Sequence, residues 1–469
     1  MGEWCATNLR DIEGWKASGL PMTTTSNECA RMFDATLRQL LSWIKCEQLG
    51  GIDHTMTQMS AADPEALLPR CFTIALQSLS TSHTPRVDVE YKKQIDKLIA
   101  DSEKMGTERE KLHAQGAALY ANGEMRKATE VWERILSDHP NDLMALKFAH
   151  DGYFFMGDST NKRDSVAKVI DRVRKDEPCY SYLHGMYAFG LEECGQYKEA
   201  EEQALKGLSL QKQDCWSTHA RAHCMEMNGR TKEGARFLEG TVADWEPCYM
   251  LATHNYWHNA LFYIEDGDKE SVISIFDKQI GPRQAKSHGL LDYVDAASIL
   301  WRLELEGFDV GKRWKDLFSI DKHLDDHVIA FNDVHFGPAL IRRKEPEKEE
   351  KLRESLRNFI TTSSGDNRRV SERVGAQLFD GMHAFANERF DEAARLLLPI
   401  RDQIVTIGGS AAQRDVFTQT LLHACLNARD KQLFHEGLIV LAERDRLKKN
   451  SGVSARLAEK FKERMRACL

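Results

Sequence analysis

The chain has 469 residues, of which 42% are hydrophobic and 29% charged, and its formal net charge at pH 7 is −8. This composition is typical of a soluble helical protein, and the acidic balance argues against a surface that binds nucleic acid or anionic membranes. The 11 cysteines contain no C-x-x-C pair, so they favour reduced thiols in a cytoplasmic protein over a disulfide framework or a thiolate metal site.

The N-terminal segment, residues 1–104, predicts helices that follow a repeat pattern only loosely. An amphipathic helix is expected over Ser26–Trp43, with its cap within the first two residues of that range. A second helix is expected over Ala62–Leu79, although Pro69 is a position at which it would break or restart. We therefore interpret this segment as divergent helical repeats.

The middle segment, residues 105–285, contains a ladder of glycines between helix-patterned stretches. Their successive spacings are 34, 38, 34 and 38 residues, and the glycines are Gly123, Gly157, Gly195, Gly229 and Gly267. A near-constant step of this size is typical of tetratricopeptide-type repeats, in which each repeat is one helix–turn–helix unit. The ladder predicts an all-α fold: a tetratricopeptide-like solenoid of helical hairpins, coiled as a right-handed superhelix, with divergent helical repeats at both ends.

The first repeat of the ladder begins at residue 109 and has residues of the expected size at its packing positions. Gly116 and Ala128 are small where the two helices of the repeat approach closely. Trp132 is large where a gap to the next repeat must be filled, and Pro140 ends the second helix. The later repeats are weaker, and the 38-residue steps leave their register uncertain by a few residues.

The C-terminal segment, residues 286–469, continues the helical pattern with irregular spacing. Phe390–Ala394 is typical of the start of a second repeat helix. The run Gly408–Gln413 allows two interpretations: an anion site at a helix start, or a capping box in which Ser410 and Gln413 satisfy the first turn. The cap is favoured because it needs no ligand.

Four longer stretches do not belong to the generic repeat: Leu20–Glu28 with Phe33–Leu37, Leu146–Asp151, His254–His258 and Ile407–Asp415. In these stretches the chain resembles the tetratricopeptide repeat protein 38 family, and the similarity runs from residue 10 to residue 450. The resemblance implies a cytosolic α-helical repeat protein. It brings no established reaction and no catalytic residues that could be carried over to this chain.

Histidines form the most specific local pattern, as two pairs with i,i+4 spacing: His219 with His223, and His254 with His258. Residues four apart share a helix face, so each pair could direct two imidazoles at one metal ion. Zinc is the expected metal for histidine-rich ligation, and Glu226 would be a fourth ligand or a general base. Counted from the glycines, both pairs fall on the inner face of successive repeats.

The same inner face predicts a ligand-binding groove. Its other candidate residues are Asp151, His184, Asn255, Tyr256 and Trp257. The alternative is that these groups form a polar and aromatic wall, or buried hydrogen bonds, without any ligand. A third pair, His323 with His327, shows that the spacing also occurs elsewhere, and Asp292 and Asp295 are interpreted by default as core or capping groups.

Two functions from different classes follow. The first is a scaffold that binds a peptide or protein partner in the concave groove of the repeats. The second is a metal-dependent site, with zinc as the possible cofactor, that binds or hydrolyses a small molecule and is built from His219, His223, His254 and His258. Whether the protein is an enzyme is left open by the sequence, since fold does not decide function.

Overall fold

The computed structural model describes residues 2–467 and contains no β-strand within them. The chain divides into two compact units. The first unit comprises the residues up to Arg221 together with Val242–Ala252, and the second comprises Ala222–Thr241 together with the residues from Thr253 onward. The predicted segments 1–104, 105–285 and 286–469 describe repeat regularity rather than compactness, and they stay a prediction.

The first unit consists of helices that pack mainly on their neighbours in the sequence. Its helices before the boundary at Arg221 are α1 Ile12–Ala17, α2 Asn27–Ser42, α3 Ile52–Ala62, α4 Leu67–Leu79, α5 Val89–Met105, α6 Glu108–Ala121, α7 Met125–Asp138, α8 Leu143–Phe155, α9 Ser159–Val169, α10 Tyr180–Glu193 and α11 Tyr197–Leu210. From α6 to α11 each helix contacts the next, as expected for stacked helical hairpins. The repeats therefore form the core of this unit.

The second unit continues the pattern with longer and less regular helices. From Cys215 onward the helices are α12 Cys215–Met227, α13 Thr231–Gly240, α14 Val242–Trp245, α15 Tyr249–Asp266, α16 Lys269–Ile275, α17 Gly281–Ser287, α18 Leu290–Leu305, α19 Ala330–Arg343, α20 Pro346–Thr362, α21 Asp366–Val370, α22 Ala376–Ala386, α23 Phe390–Leu397, α24 Ala411–Asn427, α25 Lys431–Leu447 and α26 Gly452–Ala467. The unit boundary passes through α12 and α15, and α14 belongs to the first unit. Across the described helices, none is both long and apolar enough to span a bilayer.

The five ladder glycines all adopt the backbone conformation that a tight inter-helix turn requires. Each has a positive φ, and the values are 80°, 65°, 76°, 68° and 79° in chain order. They lie at the turns α6–α7, α8–α9, α10–α11, α12–α13 and α15–α16. An L-residue with a side chain rarely adopts this conformation, which explains why glycine occurs there. The predicted all-α fold of helical hairpins is confirmed.

The packing predicted for the first repeat is also confirmed. A Cβ atom on Gly116 would lie 2.6 Å from the indole Nε1 of Trp132, so only glycine fits at this helix crossing. Trp132 and Ala128 are completely buried. The close approach of α6 and α7 therefore depends on one small residue facing one large residue.

The ladder continues beyond Gly267 in a form that the sequence conceals. Gly307 follows α18 with φ +80°, Lys344 separates α19 from α20 with φ +63°, and Glu388 separates α22 from α23 with φ +60°. Two hairpin turns of the second unit thus use a residue with a side chain in the left-handed conformation. These two turns therefore keep the left-handed conformation of the ladder although their sequences contain no glycine there.

Two predictions made outside the glycine ladder had different outcomes. The predicted helix over Ala62–Leu79 is wrong at its start, because α3 ends at Ala62 and α4 begins at Leu67. Pro69 lies in the first turn of α4, where a missing N–H group costs no intrahelical hydrogen bond. The capping box at α24 is confirmed, since Ser410 and Gln413 exchange side-chain and backbone hydrogen bonds.

Two turn glycines allow a test of what the ladder contributes to stability. Around Gly195 no atom lies within 4 Å of an added Cβ, so Gly195→Ala is expected to cost only the left-handed strain, about 1–2 kcal/mol. At Gly229 the added Cβ would lie 2.4 Å from the carbonyl oxygen of Lys449, so Gly229→Ala should cost distinctly more. Urea unfolding of both variants checks this expectation, and equal losses of unfolding free energy would contradict it.

Candidate metal centre

Three imidazoles meet in the second unit, one from α12 and two from α15. A ring nitrogen from each of His223, His254 and His258 lies within 4.8 Å of the others. The ring centroids are 4.3 Å apart for His223 and His258, and 4.7 Å apart for His254 and His258. His223 and His258 are completely buried, and His254 is nearly so. The i,i+4 spacing on α15 thus places His254 and His258 side by side, and their role as metal ligands stays a prediction.

Carboxylates hold two of these rings by their Nδ1 atoms. Nδ1 of His254 lies 2.7 Å from Oδ2 of Asp295 on α18, and Nδ1 of His258 lies 3.1 Å from Oε2 of Glu226 on α12. A ring that donates Nδ1–H to a carboxylate is fixed in orientation and tautomer, so Nε2 is the nitrogen that would bind a metal. The donor set therefore has the carboxylate–histidine arrangement that is common around protein-bound zinc.

The environment of His258 favours the neutral form of its imidazole. Burial lowers its pKa well below the usual range, and the neighbouring rings of His223 and His254 lower it further. Metal ions bind the neutral imidazole, so no proton has to be displaced from His258 near neutral pH. Burial and the neighbouring rings thus disfavour the protonated form of His258 and favour the neutral form that binds metal.

The remaining candidates on α15 are buried, and their role in a ligand-binding groove stays a prediction. Trp257 is stacked on His254 with ring centroids 5.0 Å apart, and its indole N–H donates to Oγ of Ser298. Tyr256 is 8% exposed and lies beside Arg283. Asn255 is completely buried, and within residues 2–467 neither atom of its amide has a hydrogen-bond partner. An amide of this kind requires a water molecule or a ligand as its partner.

The other predicted site residues lie in the first unit. Asp151 accepts two hydrogen bonds of 2.6 Å from the buried ammonium of Lys147, and His184 contacts Oε1 of Gln203 through Nδ1 at 2.8 Å. His219 lies one turn before His223 on the same continuous helix, α12, and is 3% exposed. The role of these three residues as ligand contacts stays a prediction.

Behind Glu226 lies a buried charge cluster that sequence reasoning missed. The ammonium of Lys448, directly after α25, lies 2.7 Å from Oε1 of Glu226 and 2.9 Å from Oε1 of Glu265. Arg444 on α25 donates two hydrogen bonds of 2.8 Å to Asp415 on α24. Glu226 therefore bridges the histidines and this cluster, with one carboxylate oxygen facing each.

The charges of this interior do not balance when the imidazoles are neutral. Its acidic members are Glu226, Glu265, Asp295 and Asp415, and its basic members are Arg302, Arg444 and Lys448. The cluster thus carries one more negative than positive charge in a low-dielectric setting, where an uncompensated charge is costly. A bound divalent cation would offset that excess, which makes the site electrostatically suited to a metal.

Comparisons with known proteins add little beyond the fold. No protein-family model matches the chain. Among solved structures, a chain of the APC/C hetero-tetramer Cut9–Hcn1 is 10% identical, with 96% of this chain and 80% of that chain covered and a TM-score of 0.41. Human IFIT1 in its dimer with PPP-AAAA is 14% identical over 99% of both chains with a TM-score of 0.37.

Yeast Tom70 is a third similar structure, at 13% identity, 97% coverage of this chain, 92% coverage of that chain and a TM-score of 0.32. The similarity to each of these proteins extends over nearly the whole chain. The identities and TM-scores are too low to transfer a binding partner or an activity to this chain.

Proposed function

We propose that this chain is a helical-repeat protein whose second unit binds one divalent transition metal ion, with zinc the expected metal, through His223, His254 and His258. The observation that supports it best is the pair of carboxylate contacts on the Nδ1 atoms of His254 and His258. These contacts direct both Nε2 atoms toward a common position. Imidazole ligands suit zinc, for which three histidines are an established ligand set.

In this proposal Glu226 and Asp295 act through the rings rather than as ligands. Both oxygens of Glu226 already have partners, Nδ1 of His258 and the ammonium of Lys448. Glu226 therefore orients His258 and raises the basicity of its ligand nitrogen. The sequence-based alternatives, in which Glu226 is a fourth ligand or a general base, are less favoured by this geometry.

The fourth coordination position decides which class of function follows. His219, one turn before His223 on α12, is the remaining histidine of the set that the sequence predicts, and it is the candidate for this position. Four protein ligands would make a closed, structural or sensing site, whereas three ligands and a water molecule would make a site for hydrolysis or for binding a small molecule. A His219→Ala variant that keeps a full equivalent of metal favours the open site, and one that loses its metal favours the closed site.

The proposal predicts metal in protein purified without a histidine tag. We expect about one equivalent of zinc by elemental analysis of the wild-type chain, and less than about a tenth of an equivalent in the variant His223→Ala, His258→Ala. The conservative variants Glu226→Gln and Asp295→Asn should fold and bind zinc about 10–100-fold more weakly in competition with a chelator.

A matched control is His335→Ala, which removes a buried imidazole of the second unit that donates to the carbonyl of Phe331 and lies outside the cluster. Its metal content should equal that of the wild type. Circular dichroism of each variant separates loss of ligands from loss of structure. Wild-type protein that takes up less than a tenth of an equivalent from excess zinc, roughly, would refute the proposal.

We further propose membership of the tetratricopeptide repeat protein 38 family, a cytoplasmic location, and a peptide or protein partner for the helical scaffold. The family is supported by the sequence strings quoted above, and a partner by the extended surfaces that stacked repeats offer. The burial of Asn255, Trp257 and His258 favours an internal site over a peptide groove at this place. We therefore rank the metal site first and the scaffold second.

A further inference from the structure

A cavity of about 350 Å³ lies in the second unit, between α24, α25 and the 3₁₀ segment Leu398–Ile407. This volume is within the range of small-molecule pockets. Its wall includes Lys448, Arg444 and Asp415, which belong to the charge cluster behind the histidines. The cavity and the candidate metal centre therefore border the same buried charge cluster.

The cavity has an apolar body and an apolar mouth. Phe417 and Leu421 on α24 and Val440 on α25 line its interior, and all three are buried. Val405 and Leu447 line it as well, although they are 38% and 69% exposed. Large apolar side chains at an open mouth cost free energy in water, and a ligand with an apolar tail would cover them.

The polar part of the wall favours an anionic group. Among the lining residues, arginine and lysine side chains exceed aspartate and glutamate side chains by one. Arg444, Lys448 and Asp415 also belong to the negative cluster, so the wall suits an anion once a divalent cation offsets the charge of that cluster. Lys448 is 6% exposed, and its ammonium has three donors, of which two face Glu226 and Glu265. A third carboxylate, that of Asp415, lies 4.0 Å from this ammonium, which is beyond hydrogen-bond distance, so the third donor can bind a carboxylate that enters the cavity.

We infer that this cavity binds a medium-chain carboxylate, with its head group on Lys448 and its tail among Phe417, Leu421 and Val440. This inference rests on the proposed metal site, because a bound divalent cation changes the net charge of the cluster beside the cavity. Without a metal the deeper cluster is negative, and with a divalent cation it gains two positive charges, so metal and carboxylate should bind cooperatively. The two ligands would communicate through Lys448, Glu226 and His258.

Sodium octanoate is the probe, titrated by calorimetry into the full-length chain with and without zinc. We expect it to bind, and to bind about tenfold more tightly to the zinc-loaded protein. Octan-1-ol has the same tail without the charge, and acetate has the charge without the tail. Each should bind at least about tenfold more weakly than octanoate, since each lacks one half of the recognition.

Variants at the exposed mouth test the site without disturbing the core. Leu447→Glu places a negative charge at the mouth, where it repels the entering anion and contacts the apolar tail, and it should weaken octanoate binding about tenfold relative to the isosteric, neutral Leu447→Gln. Ile439→Glu is the matched control, since Ile439 is 50% exposed on the same helix, α25, and does not line the cavity. Its octanoate affinity should stay within about twofold of the wild type.

The outcomes separate the two proposals. Absence of octanoate binding to zinc-loaded protein overturns this inference and leaves the metal site intact, as does octanol that binds as well as octanoate. Equal effects of Leu447→Glu and Ile439→Glu also overturn it. A chain that binds no zinc refutes the proposed function, and octanoate affinity that is unchanged by zinc refutes the coupling between the two sites.

Discussion

Replacing Lys448 by methionine is expected to lower the unfolding free energy of the second unit by about 4 kcal/mol, since removing one partner of a buried ion pair typically costs 3–5 kcal/mol. Burial alone would lower the pKa of Lys448, but the surrounding carboxylates, led by Glu226 and Glu265, outweigh burial and raise that pKa above its usual range. Methionine fills a similar volume without the charge. The variant therefore leaves two buried carboxylates without their shared cation.

Urea unfolding compared with Lys449→Met checks this expectation. Lys449 is the exposed neighbour of Lys448, so its replacement should change the unfolding free energy by less than about 0.5 kcal/mol. Adding Glu226→Gln to Lys448→Met removes one of the orphaned charges and should recover part of the loss, as a double-mutant cycle would measure. If the two lysine variants lose the same stability, the cluster does not hold the helices together.

The fold was predictable where one residue type has one physical reason to occur. A turn between two packed helices needs a positive φ, and glycine provides it most cheaply, so Gly123 to Gly267 mark five hairpins in the sequence. The same turn at Lys344 and Glu388 is made by residues that leave no such mark. Packing of the neighbouring helices imposes the conformation there, and sequence reasoning has no access to that packing.

The histidine pairs were predictable for a similar reason, because i,i+4 spacing places two side chains on one helix face regardless of the tertiary structure. Their partners were not. Lys448 is 222 positions from Glu226, and Ser451 is 186 from Glu265. A charged run such as the end of α25 is normally interpreted as a solvated face. Only the three-dimensional packing shows that Arg444 in this run and Lys448 directly after it are buried.

The burial of the groove candidates on α15 was not predictable, because repeat register indicates which helix face points inward but does not indicate how closely the next helix approaches. Trp257 and His254 lie against α18, which covers them through Ser298 and Asp295. This burial changes the chemistry that the residues suit. A peptide needs an accessible wall, whereas a metal ion is bound more tightly by imidazoles that are held rigidly and shielded from water.

Asp214 should make the stability of the first unit depend on pH near neutrality. This completely buried carboxyl precedes α12 and accepts hydrogen bonds from the backbone N–H and the hydroxyl of Ser217. Burial raises its pKa to about 7, and the hydrogen bonds from Ser217 lower it only in part. In the unfolded chain an aspartate ionises near pH 4. Between about pH 4 and pH 7 the folded state therefore binds a proton that the unfolded state does not.

This difference in bound protons means that the unfolding free energy falls as the pH rises. Stability from this group is fully present below the unfolded pKa and is lost as the pH rises through the folded pKa, by an amount on the order of 4 kcal/mol for the whole range.

The variant Asp214→Asn cannot ionise and should lack this loss. The unfolding free energy of the wild type, measured by urea at pH 5 and pH 8, should thus fall relative to that of Asp214→Asn. The exposed Asp171→Asn, in the same unit, is the control and should show no such change relative to the wild type. Parallel pH profiles for wild type and Asp214→Asn would mean that the carboxyl is ionised in the folded protein and that α12 begins on a charged cap.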